Sequence, residues 1–403
     1  MTSCIEFIPN GTVTSVAGFT AGAVSTCIKQ HSKYNLDLGM LFSETTCATA
    51  GLFTTNKMKA AHVLLCKDIL PDNGIRAVVI NSGYANAGTG SQGLRDATEI
   101  QAAAASSLGI AVNAMLVAST GVIGLRLPLE SIKAGLGEIC LSASGGHSLA
   151  KAITTTDSVT KEVAFRDNEN GYTIGGIAKG SGMIHPQMGT MLCFLATDAG
   201  VDIDFLAASL KEAADVSFNM VTVDGDTSPN DTVLIMANGL AGNKIIKKDT
   251  PQAVVFQAAL NRACIFLARA IAADGEGAGK LIEVNVRNAA SIADARAAAR
   301  AIAGSSLVKT AIHGSDPNWG RITAAAGRSG ADFIESGLDL SICGVSVIEN
   351  GNIMPYDEKL ASERLEDKKV SIELNLHLGK AAATAWGCDL SAEYVTINSR
   401  YTT

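Results

Sequence analysis

The sequence has few aromatic and charged residues and no excess of basic charge, and these shortages exclude several classes of protein. Of the 403 residues, 5% are aromatic and 18% charged, while 47% are hydrophobic. Because disorder requires low hydrophobicity and high net charge, the chain is expected to fold around a large core. The 32 basic and 39 acidic residues give a formal net charge of −7. The chain therefore lacks the basic excess that is typical of nucleic-acid binding.

Closely spaced metal-binding or disulfide-forming residues are also missing. None of the nine cysteines forms a CxxC pair, and no two of the six histidines lie within one helical turn of each other. We therefore expect reduced cysteines and no metal site. The first ten residues lack a basic region followed by an apolar run, and no uninterrupted run of 18 apolar residues occurs. This pattern predicts neither a signal peptide nor a membrane span. We therefore expect a cytoplasmic protein.

Alternating strand-like and helix-like segments predict an α/β (α+β) fold. Short apolar runs rich in β-branched residues predict strands at residues 77–80, 281–286, 370–376 and 394–397. Thr250 and Pro251 predict the start of a helix that runs to residue 273, and a second helix is predicted over 291–303. After the glycine-rich turn at 275–280 the strands shorten and charges become denser. A second, smaller C-terminal α/β unit is therefore predicted over about 281–403.

Two glycine-rich segments resemble nucleotide-binding motifs without their sequence context. Residues 88–93 match GxGxxG, but seven residues separate them from the strand predicted at 77–80. In the segment 274–280, Asp274 replaces the first glycine of a phosphate loop and Leu281 replaces its Ser or Thr. We predict that both segments are loops and that the protein uses no nucleotide cofactor.

The segment 179–196 (KGSGMIHPQMGTMLCFLA) contains a candidate nucleophile, Thr190, where a glycine-rich loop meets a predicted buried strand. A threonine hydroxyl is a weak nucleophile unless a base lies beside it. If the chain is cut before Thr190, the new α-amine supplies that base, because its pKa is about 8. The hydroxyl itself can make the cut by attacking the carbonyl of Gly189 in an N→O acyl shift. By spacing alone, a simple turn before a strand remains an alternative.

This segment closely resembles the processing site of the ornithine acetyltransferase / glutamate N-acetyltransferase (ArgJ) family. Seven further motifs fit that family in the same order, and together they cover the chain from about residue 15 to its end. They are FTTN at 53–56, NSGYANA at 81–87, STGVIG at 119–124, TTD at 155–157, VDGDTS at 223–228, DGEGA at 274–278 and DPNWGR at 316–321. Eight motifs in order are far more specific than any one of them.

The resemblance implies a fold, a reaction and a set of site residues. The fold would be a sandwich of helices and sheets. Self-cleavage between Gly189 and Thr190 would give an α chain, 1–189, and a β chain, 190–403, with the C-terminal tail returning to the active site. Acetyl would pass from N-acetylornithine to Thr190, releasing ornithine, and then to glutamate. Thr120 and Gly121 would form the oxyanion hole, and the substrate contacts would be Thr156, Lys179, Thr190, Glu276, Asn398 and Thr403.

The same resemblance implies no cofactor, with acetyl-CoA as a further co-substrate in the bifunctional members, and an α2β2 assembly. The sequence departs from the family pattern at Gly189, where Ala is usual, and at His185, where a small residue is commoner. Two alternatives remain open at this point. One is a threonine-nucleophile amidase or aminopeptidase, which would pass the acyl group to water. The other is an uncleaved, non-catalytic relative.

Overall fold

A computed structural model describes residues 5–29, 33–185 and 191–400 of the chain. These residues form two β-sheets and the helices that pack against them, so the predicted mixed α/β fold is confirmed. Both sheets contribute side chains to one large hydrophobic core, and a second core lies on the other face of the first sheet.

The first sheet has nine strands in the described residues, and both of its faces are buried. In chain order they are β1 (Ile5–Phe7), β2 (Phe19–Val24), β3 (Leu38–Phe53), β4 (Asp72–Tyr84), β5 (Met115–Val122), β6 (Lys161–Asp167), β7 (Tyr172–Lys179), β8 (Leu192–Thr197) and β9 (Thr232–Ala237). Their spatial order is β1-β6-β7-β8-β9-β3-β4-β5, with β2 beside β3. On β8, Leu192 and Phe194 belong to one core and Cys193 and Leu195 to the other. Burial on both faces explains the unbroken apolar run that predicted this strand.

Helices cover both faces of the first sheet. Four contribute to the core on one face: α1 (Ala61–Ile69), α2 (Gly90–Leu108), α3 (Leu129–Leu136) and α4 (Gly146–Ala152). Two contribute to the core on the opposite face: α5 (Ile203–Asp215) and α6 (Pro251–Ala273).

Helix α6 confirms the predicted helix and its start. The Thr250 hydroxyl accepts a hydrogen bond from the Ala253 amide, and Pro251 occupies the first helical position. With 23 residues and a mean hydropathy of 1.5, this helix is long and apolar enough to cross a membrane. It instead contacts β6 and β7 of the first sheet and α5, and buries ten side chains in the core. The core helix of a globular protein has this composition when it is covered on several sides.

The second sheet begins at Leu281, and one of its faces is more deeply buried than the other. Its strands are β10 (Leu281–Ala289), β11 (Asp339–Ile342), β12 (Val345–Glu349), β13 (Asn352–Ile353), β14 (Lys369–Asn375) and β15 (Ala381–Cys388), in the spatial order β13-β12-β11-β14-β10-β15. The remaining helices are α7 (Ile292–Ala303), α8 (Ser306–His313), α9 (Trp319–Gly327), α10 (Glu358–Leu365) and α11 (Ala392–Arg400). The strands predicted near 281–286 and 370–376 and the helix near 291–303 are confirmed.

Two predictions from local sequence are wrong. Residues 394–397, predicted as a strand, lie in helix α11, where the Ser391 hydroxyl accepts a hydrogen bond from the Tyr394 amide and caps the first turn. The capped turn therefore prevails over the β propensity of the side chains. Residues 88–93 are not wholly a loop, because Gly90 begins helix α2.

Candidate active site

One cavity of about 220 Å³ is lined by six of the predicted site residues, which come from distant parts of the sequence. They are Thr120, Gly121, Thr156, Lys179, Glu276 and Asn398. The strands β5 and β7 end at this cavity, and the turn after α6 and the helix α11 close it from the C-terminal half of the chain. A volume of this size fits one small molecule such as an amino acid.

The end of β5 supplies Thr120 and Gly121. Gly121 has a φ of +131°, and a Cβ added there would lie 2.2 Å from the carbonyl carbon of Gly83 on β4. Only glycine therefore permits the two strands to approach so closely at this point. The side-chain amide of Asn230, which also lines the cavity, donates to the carbonyl oxygens of Ser119 (2.7 Å) and Ala85 (2.6 Å) and thereby fixes the strand end.

Lys179 is a buried cation at the end of β7. The residue is 3% exposed, and its ammonium has no hydrogen-bond partner among the described residues. Burial lowers the pKa of Lys179, while the carboxylates of Asp157 and Glu276 oppose that shift. A buried cation that lines a cavity is suited to binding a carboxylate.

A chain of hydrogen bonds connects Thr156, Glu276 and Asn398. The hydroxyl of Thr156 lies 2.7 Å from that of Ser181, and the Glu276 amide donates to the Ser181 carbonyl at 2.8 Å. The Asn398 side-chain amide donates to the Glu276 carboxylate at 2.8 Å. Three loops and the helix α11 thus hold these cavity-lining side chains in one arrangement, in which the Glu276 carboxylate could pair with a cationic group.

Behind these loops lies a buried ion cluster, formed by Asp157, Lys161 and Asp274. The Lys161 ammonium donates to Asp157 at 2.7 Å and to Asp274 at 2.6 Å, and its side chain is fully buried. Asp157 also accepts a hydrogen bond from the Gly180 amide at 2.7 Å. Burial alone would raise the pKa of Asp157, but the Lys161 and Lys179 cations hold it well below its ordinary range. The cluster therefore ties together the segments that carry Thr156, Lys179 and Glu276.

Comparison with known proteins identifies the family of the chain. The ArgJ family matches residues 20–403. The chain belongs to the ArgJ family. It is 53% identical over 405 aligned residues to the arginine biosynthesis bifunctional protein ArgJ of Dehalococcoides mccartyi, with 100% of both chains covered. The protein of the same name from Symbiobacterium thermophilum is 49% identical, with 99% of this chain and 100% of the relative covered.

A solved structure also matches. The arginine biosynthesis bifunctional protein ArgJ of Bacillus halodurans is 44% identical with a TM-score of 0.51. The match covers 52% of this chain and 98% of the solved chain. The solved chain therefore has about half the length of this one.

Three residues of the predicted ArgJ site, Gly189, Thr190 and Thr403, lie outside the described residues. The first residue described after Thr190 is Met191, whose amide donates to the buried carboxylate of Asp231 at 3.0 Å. Leu192, the next residue, pairs with Lys179 across β7 and β8. The predicted nucleophile is thus two residues away in sequence from the strand partner of Lys179.

Several residues that line or support this cavity were not predicted from the sequence. Asp224 accepts hydrogen bonds from the amides of Met183 (2.6 Å) and Ile184 (3.0 Å), and burial raises its pKa. Tyr394 lines the cavity, and burial together with Asp224 raises its pKa. Asp224 belongs to the VDGDTS motif, so the sequence carried a signal from which its place at the site could have been predicted. No signal in the sequence marked Tyr394, because residues 394–397 were predicted as a strand.

His185 and Cys193, two further described residues of the segment 179–196, do not line the cavity. His185 lies 3.2 Å from the Thr222 hydroxyl through Nδ1, and burial and the Arg300 cation lower its pKa. Cys193 is fully buried on β8, and burial raises its thiol pKa well above the usual value, as expected for an inert core cysteine.

Proposed function

We propose that this chain is a self-processing acetyltransferase of arginine biosynthesis that moves acetyl from N-acetylornithine to glutamate through an acetyl-Thr190 intermediate. The observation that carries the proposal is the cavity itself, which brings Thr120, Gly121, Thr156, Lys179, Glu276 and Asn398 together. Membership of the ArgJ family supports the same reaction.

The first half-reaction uses Thr190 as the nucleophile. Its hydroxyl attacks the acetyl carbonyl of N-acetylornithine while its α-amine takes the hydroxyl proton. Thr120 and Gly121 at the end of β5 stabilise the negative charge on the tetrahedral oxygen. The bond between the acetyl carbon and the ornithine nitrogen then breaks, and the proton goes to that nitrogen as ornithine leaves.

The second half-reaction reverses these steps with glutamate as the acceptor. The glutamate amine attacks the acetyl-threonine ester, and the Thr190 oxygen leaves and is protonated again. Both substrates carry an α-carboxylate, and this group pairs with the buried ammonium of Lys179. Glu276 pairs with the side-chain ammonium of the ornithine substrates, with Asn398 holding its carboxylate in place.

Cleavage into two chains is supported by the Bacillus halodurans relative, whose solved chain matches about half of this chain. Cleavage before Thr190 gives chains of 189 and 214 residues. We further propose an α2β2 assembly in the cytoplasm, and acetyl-CoA as a second donor, since the relatives are named bifunctional.

The test combines intact mass with acceptor dependence. Purified protein is expected to contain two chains, the larger beginning Thr-Met-Leu-Cys-Phe, and Thr190→Ala is expected to remain a single chain. Deacetylation of N-acetylornithine should depend on glutamate and yield equal amounts of ornithine and N-acetylglutamate. A single wild-type chain would contradict the free-amine mechanism.

Equal deacetylation with and without glutamate would instead indicate an amidase that transfers acyl groups to water. Replacing N-acetylornithine by acetyl-CoA in the same assay tests the second donor. Formation of N-acetylglutamate from acetyl-CoA is the expected result.

A further inference from the structure

The start of strand β8 is held by one buried carboxyl group, that of Asp231. Met191 directly precedes β8 and Asp231 directly precedes β9, and these strands are parallel with Leu192 opposite Thr232. The Met191 amide donates to Asp231 Oδ1 at 3.0 Å, and the Met191 carbonyl accepts from the Thr232 amide at 3.0 Å. Both backbone polar groups of Met191 are therefore fixed from β9.

The Asp231 carboxyl group is more deeply buried, and has fewer hydrogen bonds, than a carboxyl group that only caps a strand. Asp231 is 0% exposed, and its second oxygen, Oδ2, has no hydrogen-bond partner among the described residues. Burial raises its pKa well above the ordinary range, although the Met191 amide, the Thr54 hydroxyl and the Lys179 cation, in that order, oppose that shift. An unsatisfied buried oxygen is unfavourable for stability, so an explanation in terms of function is warranted.

The neighbouring sequence gives that explanation. Met191 is bonded to Thr190, so any displacement of Met191 moves the predicted scissile peptide and, after cleavage, the first residue of the new chain. The other side of the same loop is held in a similar way, since Asp224 accepts from the amides of Met183 and Ile184. A misplacement of about 1 Å at a reacting group lowers rates by about a hundredfold.

We propose that Asp231 is a positioning residue of the self-processing and acyl-transfer centre, which acts through its hydrogen bond to the Met191 amide. The inference rests on the proposed function, because it assumes that Thr190 is the nucleophile. It assigns Asp231 no proton transfer and no contact with substrate.

The test follows self-cleavage of newly synthesised chain by intact mass in a cell-free time course. Asp231→Ala removes the acceptor and is expected to slow cleavage at least about tenfold. Asp231→Asn keeps an oxygen at the same distance and is expected to restore the rate to within about threefold of wild type. In cleaved Asp231→Ala, kcat should fall while KM for N-acetylornithine stays near the wild-type value, because no cavity-lining group is removed.

The chain offers a matched control at the other end of the same strand. Asp198 directly follows β8, is almost fully buried, and accepts a backbone hydrogen bond from the Thr173 amide at 2.7 Å. Asp198→Ala therefore loses a comparable bond and is expected to cleave at the wild-type rate. A loss caused by reduced stability alone would slow both alanine variants and lower both melting temperatures. If Asp231→Ala does not fold, Asp231→Ser takes its place, because its shorter side chain withdraws the acceptor from Met191.

Two results would overturn the inference while leaving the proposed function intact. They are wild-type cleavage in Asp231→Ala, and cleavage in Asp231→Asn as slow as in the alanine variant. A wild-type chain that never cleaves would instead contradict the proposed function, so the two failures are distinguishable.

Discussion

Replacing Lys161 by methionine removes the cation at the centre of the buried ion cluster. Methionine has a similar length and no charge, so the change leaves the Asp157 and Asp274 carboxylates facing each other without the ammonium that lies 2.7 and 2.6 Å from them. Breaking a buried pair by removing one partner typically costs about 3–5 kcal/mol, because an uncompensated charge remains buried. We expect Lys161→Met to lose about that much free energy of unfolding at pH 7.

The stability that the ion cluster contributes depends on pH. In the wild type, Lys161 and Lys179 hold the pKa of Asp157 below its unfolded value despite burial. The Asp157 carboxylate therefore contributes stability above its unfolded pKa of about 3.9, and this contribution is lost as the pH falls through the lower folded pKa. In Lys161→Met that contribution is smaller, because only the Lys179 cation and the Gly180 amide remain, and protonation of Asp157 relieves the repulsion between the two carboxylates. The stability difference between variant and wild type should therefore shrink on acidification from pH 7 toward pH 4.

Urea unfolding of the Thr190→Ala single chain, with and without Lys161→Met, measures this difference. Asp157→Asn/Lys161→Met/Asp274→Asn, which removes all three charges, is expected to recover part of the loss. In the cleaving background, Lys161→Met should also raise KM for N-acetylornithine, because the cluster connects the segments of Thr156, Lys179 and Glu276. Lys133→Met, which removes an exposed pair with Glu99, is the surface control. Wild-type stability and KM in Lys161→Met would refute the reasoning.

Three further outcomes are expected. Lys179→Met should raise KM for both substrates. Because burial lowers the pKa of Lys179, the wild-type enzyme should lose the ammonium, and its KM should rise, at pH values below the ordinary lysine pKa; kinetics from pH 7 to 10 test both expectations. Gly121→Ala should lose activity and about 1–3 kcal/mol of stability, since the new Cβ would lie 2.2 Å from Gly83; thermal unfolding and kcat measure both. Burial lowers the pKa of His62 to about 4. The neutral His62 side chain therefore contributes stability above its unfolded pKa of about 6.5, and this contribution declines by up to about 3 kcal/mol as the pH falls to 4. His62→Gln should flatten that decline in urea titrations.

Features that depend on neighbouring residues could be predicted from the sequence. Thr250 and Pro251 marked the start of helix α6, and Ser291 that of α7, because a cap forms within one turn of the chain. The buried strand β8 could be predicted from its unbroken apolar run. The same local reasoning failed at residues 394–397, whose β-branched side chains predicted a strand.

The failure at the C-terminal tail has a tertiary cause. Ser391 donates its hydroxyl hydrogen bond to the Gly277 carbonyl at 2.6 Å and also caps the Tyr394 amide. Gly277 has a φ of +69°, and a Cβ there would lie 2.5 Å from the Tyr394 nitrogen. The first turn of α11 is thus seated on the loop that carries Glu276, more than a hundred residues earlier. Local propensity contains no information on such a contact.

The cavity residues could be proposed only from the family resemblance, because their chemistry becomes visible through pairing over long sequence separations. Lys161 and Asp274 are 113 residues apart, and Asn398 and Glu276 are 122 apart. Either member of such a pair, read alone, is an ordinary surface charge or amide. The structure supplies the reason for each: the aspartates neutralise a buried lysine, and Asn398 orients a carboxylate.

Under the proposed function, one site must serve two different amino acids, and the distribution of charge around the cavity suits that requirement. A protein with net charge −7 does not attract an anionic substrate from a distance, so recognition of a carboxylate needs a local cation. We propose Lys179 as that cation, because burial strengthens each ion pair that such a group makes. N-Acetylornithine and glutamate share the α-carboxylate, whereas only the ornithine substrates carry a side-chain ammonium. Lys179 is therefore expected to affect KM for donor and acceptor alike, and Glu276 mainly KM for the donor.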